Sequence, residues 1–243
     1  MRTVSIDERS LPEATAPHET KANGVLRPVV FGANDGLVSN LALVMGVAGA
    51  DPEPGVIVLA GIAGLLAGAF SMGVGEYISV QSQRELLNFQ LAFQRKQLKE
   101  APEQERAILA ASYRKRGFSD EEADRFAEIV MRDPEHAMSL LIFEEVGLDD
   151  RSIGSPIAAA IGSFLAFTLG ALIPLVPYLL ASGAVAFAAS LLASLAALAL
   201  LGIGIAVLTR RPAWYGAIRQ VALGGIAAAV TYAVGSLLGV ATG

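Results

Sequence analysis

The chain contains no cysteine. That excludes disulfides, thiolate metal sites and thiol redox chemistry. Histidine is almost absent as well: there are two, His18 and His136, and neither lies in an apolar stretch. An intramembrane hydrolase would need a nucleophile–base pair or a metal triad there, so hydrolysis is disfavoured and no enzyme is expected. Charge is scarce. Asp, Glu, Lys and Arg make up 17% of the 243 residues, against about 25% in a soluble domain, and residues 152–209 contain none of them. The net charge of −5 offers no cationic surface for nucleic acid. No nucleic-acid partner and no permanently bound cofactor is expected.

What is present is apolar residue, 53% of the chain. A membrane-spanning helix needs ~20 mostly apolar residues. Five segments qualify: 28–50, 55–80, 156–180, 183–208 and 215–240. Turn chemistry separates them at Asp51-Pro52-Glu53-Pro54, Ser182-Gly183 and Arg210-Arg211-Pro212. The fold class is an all-α membrane protein with five transmembrane helices. Residues 1–25 are polar, lack the apolar core of a signal peptide, and read as a disordered cytoplasmic tail. All 18 Lys and Arg fall in 1–27, 81–155 and 209–219. The positive-inside rule then predicts N-in/C-out.

The chain divides into that tail, a first helix pair (26–80), a charged insert (81–155) and a three-helix unit (156–243). The insert carries 11 basic and 15 acidic residues and reads as helical. Leu86, Leu87, Leu91 and Leu98 continue the second helix outward as an apolar stripe. Pro102 opens a helix through Lys115, ended by Gly117. Ser119-Asp120-Glu121-Glu122 is a capping box for the next helix. Pro134 opens another, ended by Gly147. Gly64-Leu65-Leu66-Ala67-Gly68 is a small-xxx-small pattern, ordinary in bundle packing and, more sharply, suited to a dimer face.

Asp35 and Glu76 stand out because each interrupts an apolar span. A carboxylate at bilayer depth costs at least ~2.5–3.5 kcal/mol, so such an acid points to an ion or proton path. The span reading leaves both without a basic counter-ion at that depth. Asp35 and Ser39 share a helix face, with Asn34 beside them; Met72, Glu76 and Ser79 share another. Carboxylate, amide and hydroxyl oxygens with one thioether suit Fe²⁺ or Mn²⁺. Structural zinc prefers Cys and His, and no span contains either. Taken singly, a membrane Met is more often core filler, and Ser or Asn often satisfies a neighbouring backbone. The spans place Asp35 and Glu76 at one level near the cytoplasmic side, with Met72 a turn deeper.

Gly32-Ala33-Asn34-Asp35-Gly36-Leu37-Val38-Ser39-Asn40 and residues 71–83, beginning Ser71-Met72-Gly73-Val74-Gly75-Glu76-Tyr77, resemble the two signature stretches of the vacuolar iron transporter family. Tyr113-Arg114-Lys115-Arg116-Gly117, Glu144-Glu145-Val146-Gly147-Leu148 and Gly170-Ala171-Leu172-Ile173-Pro174-Leu175 extend the likeness over residues 25–240. The resemblance implies a homodimeric exporter of Fe²⁺, often Mn²⁺, coupled to proton antiport. It places Asp35 and Met72 on the pathway and makes Glu76 the acid of the Gly-Glu-Tyr motif. A bacterial-type member without a ferritin-like domain, in the inner membrane, is expected.

The same resemblance implies a metal-binding insert, but the ligand positions are depleted. The family's acids fall on Gln94, Gln97, Glu105 and Ile108, its Met on Leu141 and its last Glu on Glu145. A small shift would recruit Glu100, Glu103 or Glu144, with Met138 supplying sulfur. Glu105 and Glu145 are therefore the insert's metal candidates, and the multi-ion cluster is expected to be weakened or absent. The alternative for the acids is solvated helix faces with i,i+4 partners, and His136 reads as a surface residue. The alternative for the whole protein is a membrane scaffold or metal-sensing regulator that does not transport.

Overall fold

A computed structural model of the protein describes residues 23–133, 135, 137, 138, 140, 141 and 154–242. Within them every regular element is a helix: α1 (Asn23–Gly49), α2 (Pro54–Glu100), α3 (Pro102–Lys115), α4 (Asp120–Met131), α5 (Pro156–Leu180), α6 (Gly183–Leu208) and α7 (Ala213–Thr242). Five are long and apolar enough to cross a membrane: α1, α2, α5, α6 and α7. Large apolar side chains point outward along them, including Leu59, Phe70, Leu169, Leu192 and Leu237. In water such surface would be a liability; against lipid chains it is the required solvent face.

α1 is the central post. It runs parallel to α5, since Gly32 meets Ser163 and Gly36 meets Phe167. It also runs parallel to α7, since Gly46 meets Thr231 and Gly49 meets Tyr232. α2 is antiparallel to α1, with Gly64 against Asn40 and Gly61 against Val44. At Gly36 a Cβ would collide with the Phe167 backbone carbonyl, and at Gly170 with that of Ala33. Small residues on both helices therefore set the α1–α5 separation. The core beneath is Leu37, Leu41, Val44, Met45, Ile57, Tyr178 and Leu198, with Leu65, Ala69, Phe167, Ala171 and Leu175 beside it.

α1 begins at Asn23, five residues before the expected start, and carries Pro28 in its second turn. Asp51, in the α1–α2 turn, takes a left-handed conformation (φ 53°). α2 is one unbroken helix of 47 residues, about 70 Å long, more than twice the ~30 Å hydrocarbon thickness. Its second half is a stalk that carries the insert. Leu87 and Met138 pack together with Leu91 and Leu98, so the expected apolar stripe is used, except for Leu86, which is exposed. Leu109, Ala110, Ala123, Ala127 and Leu141 form the insert's second core.

The capping box at α4 is present. The Ser119 backbone N–H and hydroxyl donate to the Glu122 carboxylate at 3.0 and 2.8 Å, and the Glu122 N–H donates back to Ser119 Oγ at 3.3 Å. These bonds to the ionised form, the backbone one foremost, hold the Glu122 carboxyl below its ordinary value. The helix expected after Pro134 lies mostly outside the described residues, with Glu135, Ala137, Met138, Leu140 and Leu141 helical.

Arg219, the last base of the 209–219 segment, lies in the second turn of α7, exposed, its guanidinium 5.8 Å from the Tyr215 ring centroid. Tyr215 and Trp214 are exposed beside Arg210 and Arg211. An aromatic pair next to charge is the pattern of a membrane–water interface, and it puts Arg219 within snorkelling reach of it.

Candidate functional site

The exposed faces of α1 and α2 do not seal against each other. Between them lies a cleft of about 500 Å³ lined by residues that include Asp35, Ser39, Asn40, Met72, Glu76 and Ser79. Its floor is Phe167 of α5, whose ring packs against Gly68. Helix periodicity explains the α1 wall: Phe31, Asp35, Ser39 and Leu43 recur every four residues and form one stripe. On α2 the glycines Gly64, Gly68 and Gly75 leave the space that larger side chains would fill. Gly75 has nothing within 4 Å of where a Cβ would stand.

Asp35, Met72 and Glu76 are each half-buried. Neither carboxylate has a hydrogen bond or ion pair among the described residues. Two unpaired acids, a thioether and several neutral oxygens in a low-dielectric wall favour a divalent cation of intermediate softness.

The inter-helix register corrects the expected depths. Asn40 faces Gly64 and Val44 faces Gly61, which sets Asp35 level with the Gly68–Met72 turn. Glu76 is then about 6–9 Å nearer the basic end, at 1.5 Å per residue. The side chains form a ladder, with Glu76 at the mouth and Asp35 with Met72 below.

Asn34 does not line the cleft. Its Oδ1 accepts from Gln220 Nε2 at 2.9 Å, tying α1 to α7. The asparagine that does line it is Asn40, which sequence reasoning passed over. Asn40 is buried, and its Nδ2 donates to the Ala171 carbonyl at 2.7 Å. Its Oδ1 is buried with no hydrogen-bond partner and lies against Gly64. An i,i+4 count from Asp35 selects Ser39 and skips Asn40. The available signal was an amide one residue past that stripe, in an otherwise apolar turn.

The family model described as the VIT family matches residues 26–236. The chain belongs to the VIT family. Vacuolar iron transporter 1 of Arabidopsis thaliana is 28% identical over 229 residues, covering 94% of this chain and 91% of the relative. Vacuolar iron transporter 1 of Eucalyptus grandis is 27% identical over 226 residues, covering 93% and 90%. The vacuolar iron transporter of Acanthamoeba castellanii is 37% identical over 152 residues, 63% of this chain and 54% of the relative. With five membrane-length helices, this VIT-family chain is an integral membrane protein.

The VIT-family match includes the insert, where side-chain placement separates the candidates. Glu105 is buried in α3, as is Gln94 on the α2 stalk. Glu145, Glu144 and His136 lie outside the described residues. Met138 packs on Leu87 in the apolar core. Leu141 likewise is core. Glu100 and Glu103 are exposed and pair with Lys96 at 3.9 Å and Arg106 at 2.9 Å, as solvated helix faces do. Among the described residues no three His, Asp or Glu side chains gather as a metal cluster.

Proposed function

We propose that this VIT-family protein exports Fe²⁺, Mn²⁺ or both from the cytoplasm in exchange for protons. The observation that carries the proposal is the convergence of Asp35, Met72 and Glu76 on one cleft. Its relatives are vacuolar iron transporters, which supports iron as cargo.

With the basic end in the cytoplasm, Glu76 meets the ion first. The ion then exchanges water for the Asp35 carboxylate and Met72 sulfur, with the Ser39 hydroxyl and Asn40 amide oxygen completing the shell. Dication and proton compete for the same carboxylates. A carboxylate returned without cargo therefore carries a proton, and that exchange is the coupling. The cleft is open along the exposed faces of α1 and α2, so a second copy laid against them would close it; we propose a homodimer with the paths at its interface.

The test is metal-resolved flux in liposomes containing the full chain, with and without a proton gradient. Fe²⁺ or Mn²⁺ uptake that rises with the gradient, together with counter-movement of protons, is expected. Equal, gradient-independent leakage of all divalent ions would favour a non-transporting scaffold or metal-sensing role.

A further inference from the structure

A second polar cavity sits at the other end of the bundle. It encloses about 410 Å³ between the α1–α2 turn, the end of α5, the start of α6 and the last third of α7. Its lining includes Asp51, Tyr178, Phe187 and Tyr232. Tyr178 is only 7% exposed, and its hydroxyl is buried with no hydrogen-bond partner among the described residues. A buried hydroxyl without a partner costs about 1–3 kcal/mol, so it calls for a ligand or an ordered water.

The charge around this cavity has one sign. Asp51 and Glu53 occupy the α1–α2 turn, and no Lys or Arg occurs in residues 28–83, 152–209 or 220–243, which supply every element at this end. An acidic mouth with low-dielectric walls concentrates cations. Between this cavity and the Asp35 cleft stand the buried apolar side chains of Val44, Met45 and Leu175, with Ile57 buried in the cavity's own wall. The two cavities are thus separate compartments on the same two helices, α1 and α2.

We propose that the distal cavity is a second, weaker site for a hydrated divalent cation. The Asp51 carboxylate supplies the charge, and the Tyr178 and Tyr232 hydroxyls bond to the cation's waters. A full hydration shell fits the size of the cavity and the lack of soft donors around it. Its place in transport, as the station from which cargo leaves, rests on the function proposed above; its existence as a cation site does not.

The experiment is Mn²⁺ titration of the full chain in lipid nanodiscs, followed by the loss of the free-ion electron paramagnetic resonance signal. The D35N/E76Q background silences the cleft. One weak site is expected to remain. Adding D51N should weaken it roughly tenfold, the loss of one charged ligand. Asn tolerates the left-handed backbone at this position, so the turn survives. Y178F should weaken it by a smaller factor. E53Q should weaken it far less than D51N does, because Glu53 adds to the charge of the mouth but does not line the cavity.

An E53Q effect equal to that of D51N would reduce the site to diffuse surface charge and overturn the proposal. So would the absence of any residual site. The two proposals fail separately. A D51-dependent Mn²⁺ signal in a protein without flux would sink transport and leave the site standing. Normal flux with no distal signal would do the reverse.

Discussion

Asn40 of α1 donates its side-chain amide to the Ala171 carbonyl of α5 at 2.7 Å, which turns its amide oxygen toward Gly64 on α2. One residue thereby locks the central helix pair and presents an unpaired oxygen to the wall of the cleft. The neighbouring motif asparagine, Asn34, is spent on Gln220 instead. The two differ in what their loss should do.

Replacing Asn40 by Ala removes the α5 anchor and the cleft oxygen together. We expect a stability loss of about 0.5–1.5 kcal/mol and a several-fold rise in the metal concentration for half-maximal flux. Asn34→Ala should cost similar stability with metal affinity unchanged. Thermal melts in detergent paired with liposome flux separate the outcomes, and equal affinity losses would remove Asn40 from the site.

Asp35→Asn keeps the shape and deletes the charge. Losing a charged ligand costs roughly 1.5–3 kcal/mol, so Mn²⁺ or Fe²⁺ flux should drop by about tenfold or more. Glu76→Gln, at the mouth, should lower flux less at saturating metal and flatten its response to a proton gradient. Unchanged flux in Asp35→Asn would exclude the cleft as the path.

Gly36 and Gly75 lie on the same helix pair and should respond oppositely to a methyl group. A Cβ on Gly36 meets the Phe167 backbone carbonyl, which cannot swing aside as a side chain could. Gly36→Ala should destabilise by on the order of 2–3 kcal/mol by forcing α1 from α5. Gly75→Ala meets open space and should gain up to about 1 kcal/mol of helix propensity, while narrowing the cleft and slowing flux. Melting temperature and flux measured on both variants check the contrast.

Glu122 gives the insert a pH response. Its carboxyl lies below the ordinary value of 4.5 because Ser119 bonds the ionised form. A depressed folded value means the cap's contribution is fully present above 4.5 and is lost as pH falls through the lower folded value. Amide exchange in the first turn of α4 should accelerate over that acid window, and Ser119→Ala should show fast exchange already at neutral pH. A wild-type exchange rate that merely follows intrinsic chemistry across this window would refute the cap's role.

The elements were legible because each is written in local chemistry. α5 and α6 begin and end where apolar run length and turn residues place them, Pro156–Leu180 and Gly183–Leu208. Pro102, Gly117 and Ser119 mark the insert's first helices for the same reason. The start of α1 differs because Pro28 reads as a start signal, whereas the helix already runs from Asn23 and gives up one backbone hydrogen bond at Pro28.

The site was legible in part. That Asp35 and Ser39, or Met72 and Glu76, share a face follows from 3.6 residues per turn. The sequence alone thus determined five spans, their alternating direction, and two acids set inside apolar spans. Only the tertiary structure decided that Asn40 rather than Asn34 lines the cleft, that Met72 stands level with Asp35, and that Met138 is core. Periodicity gives each side chain an angle about its own helix. It does not say which neighbour fills that angle or how far one helix slides along another. Those are set by backbone contacts at Gly36 and Gly170 and by the Leu43 and Asn40 side chains against Gly64.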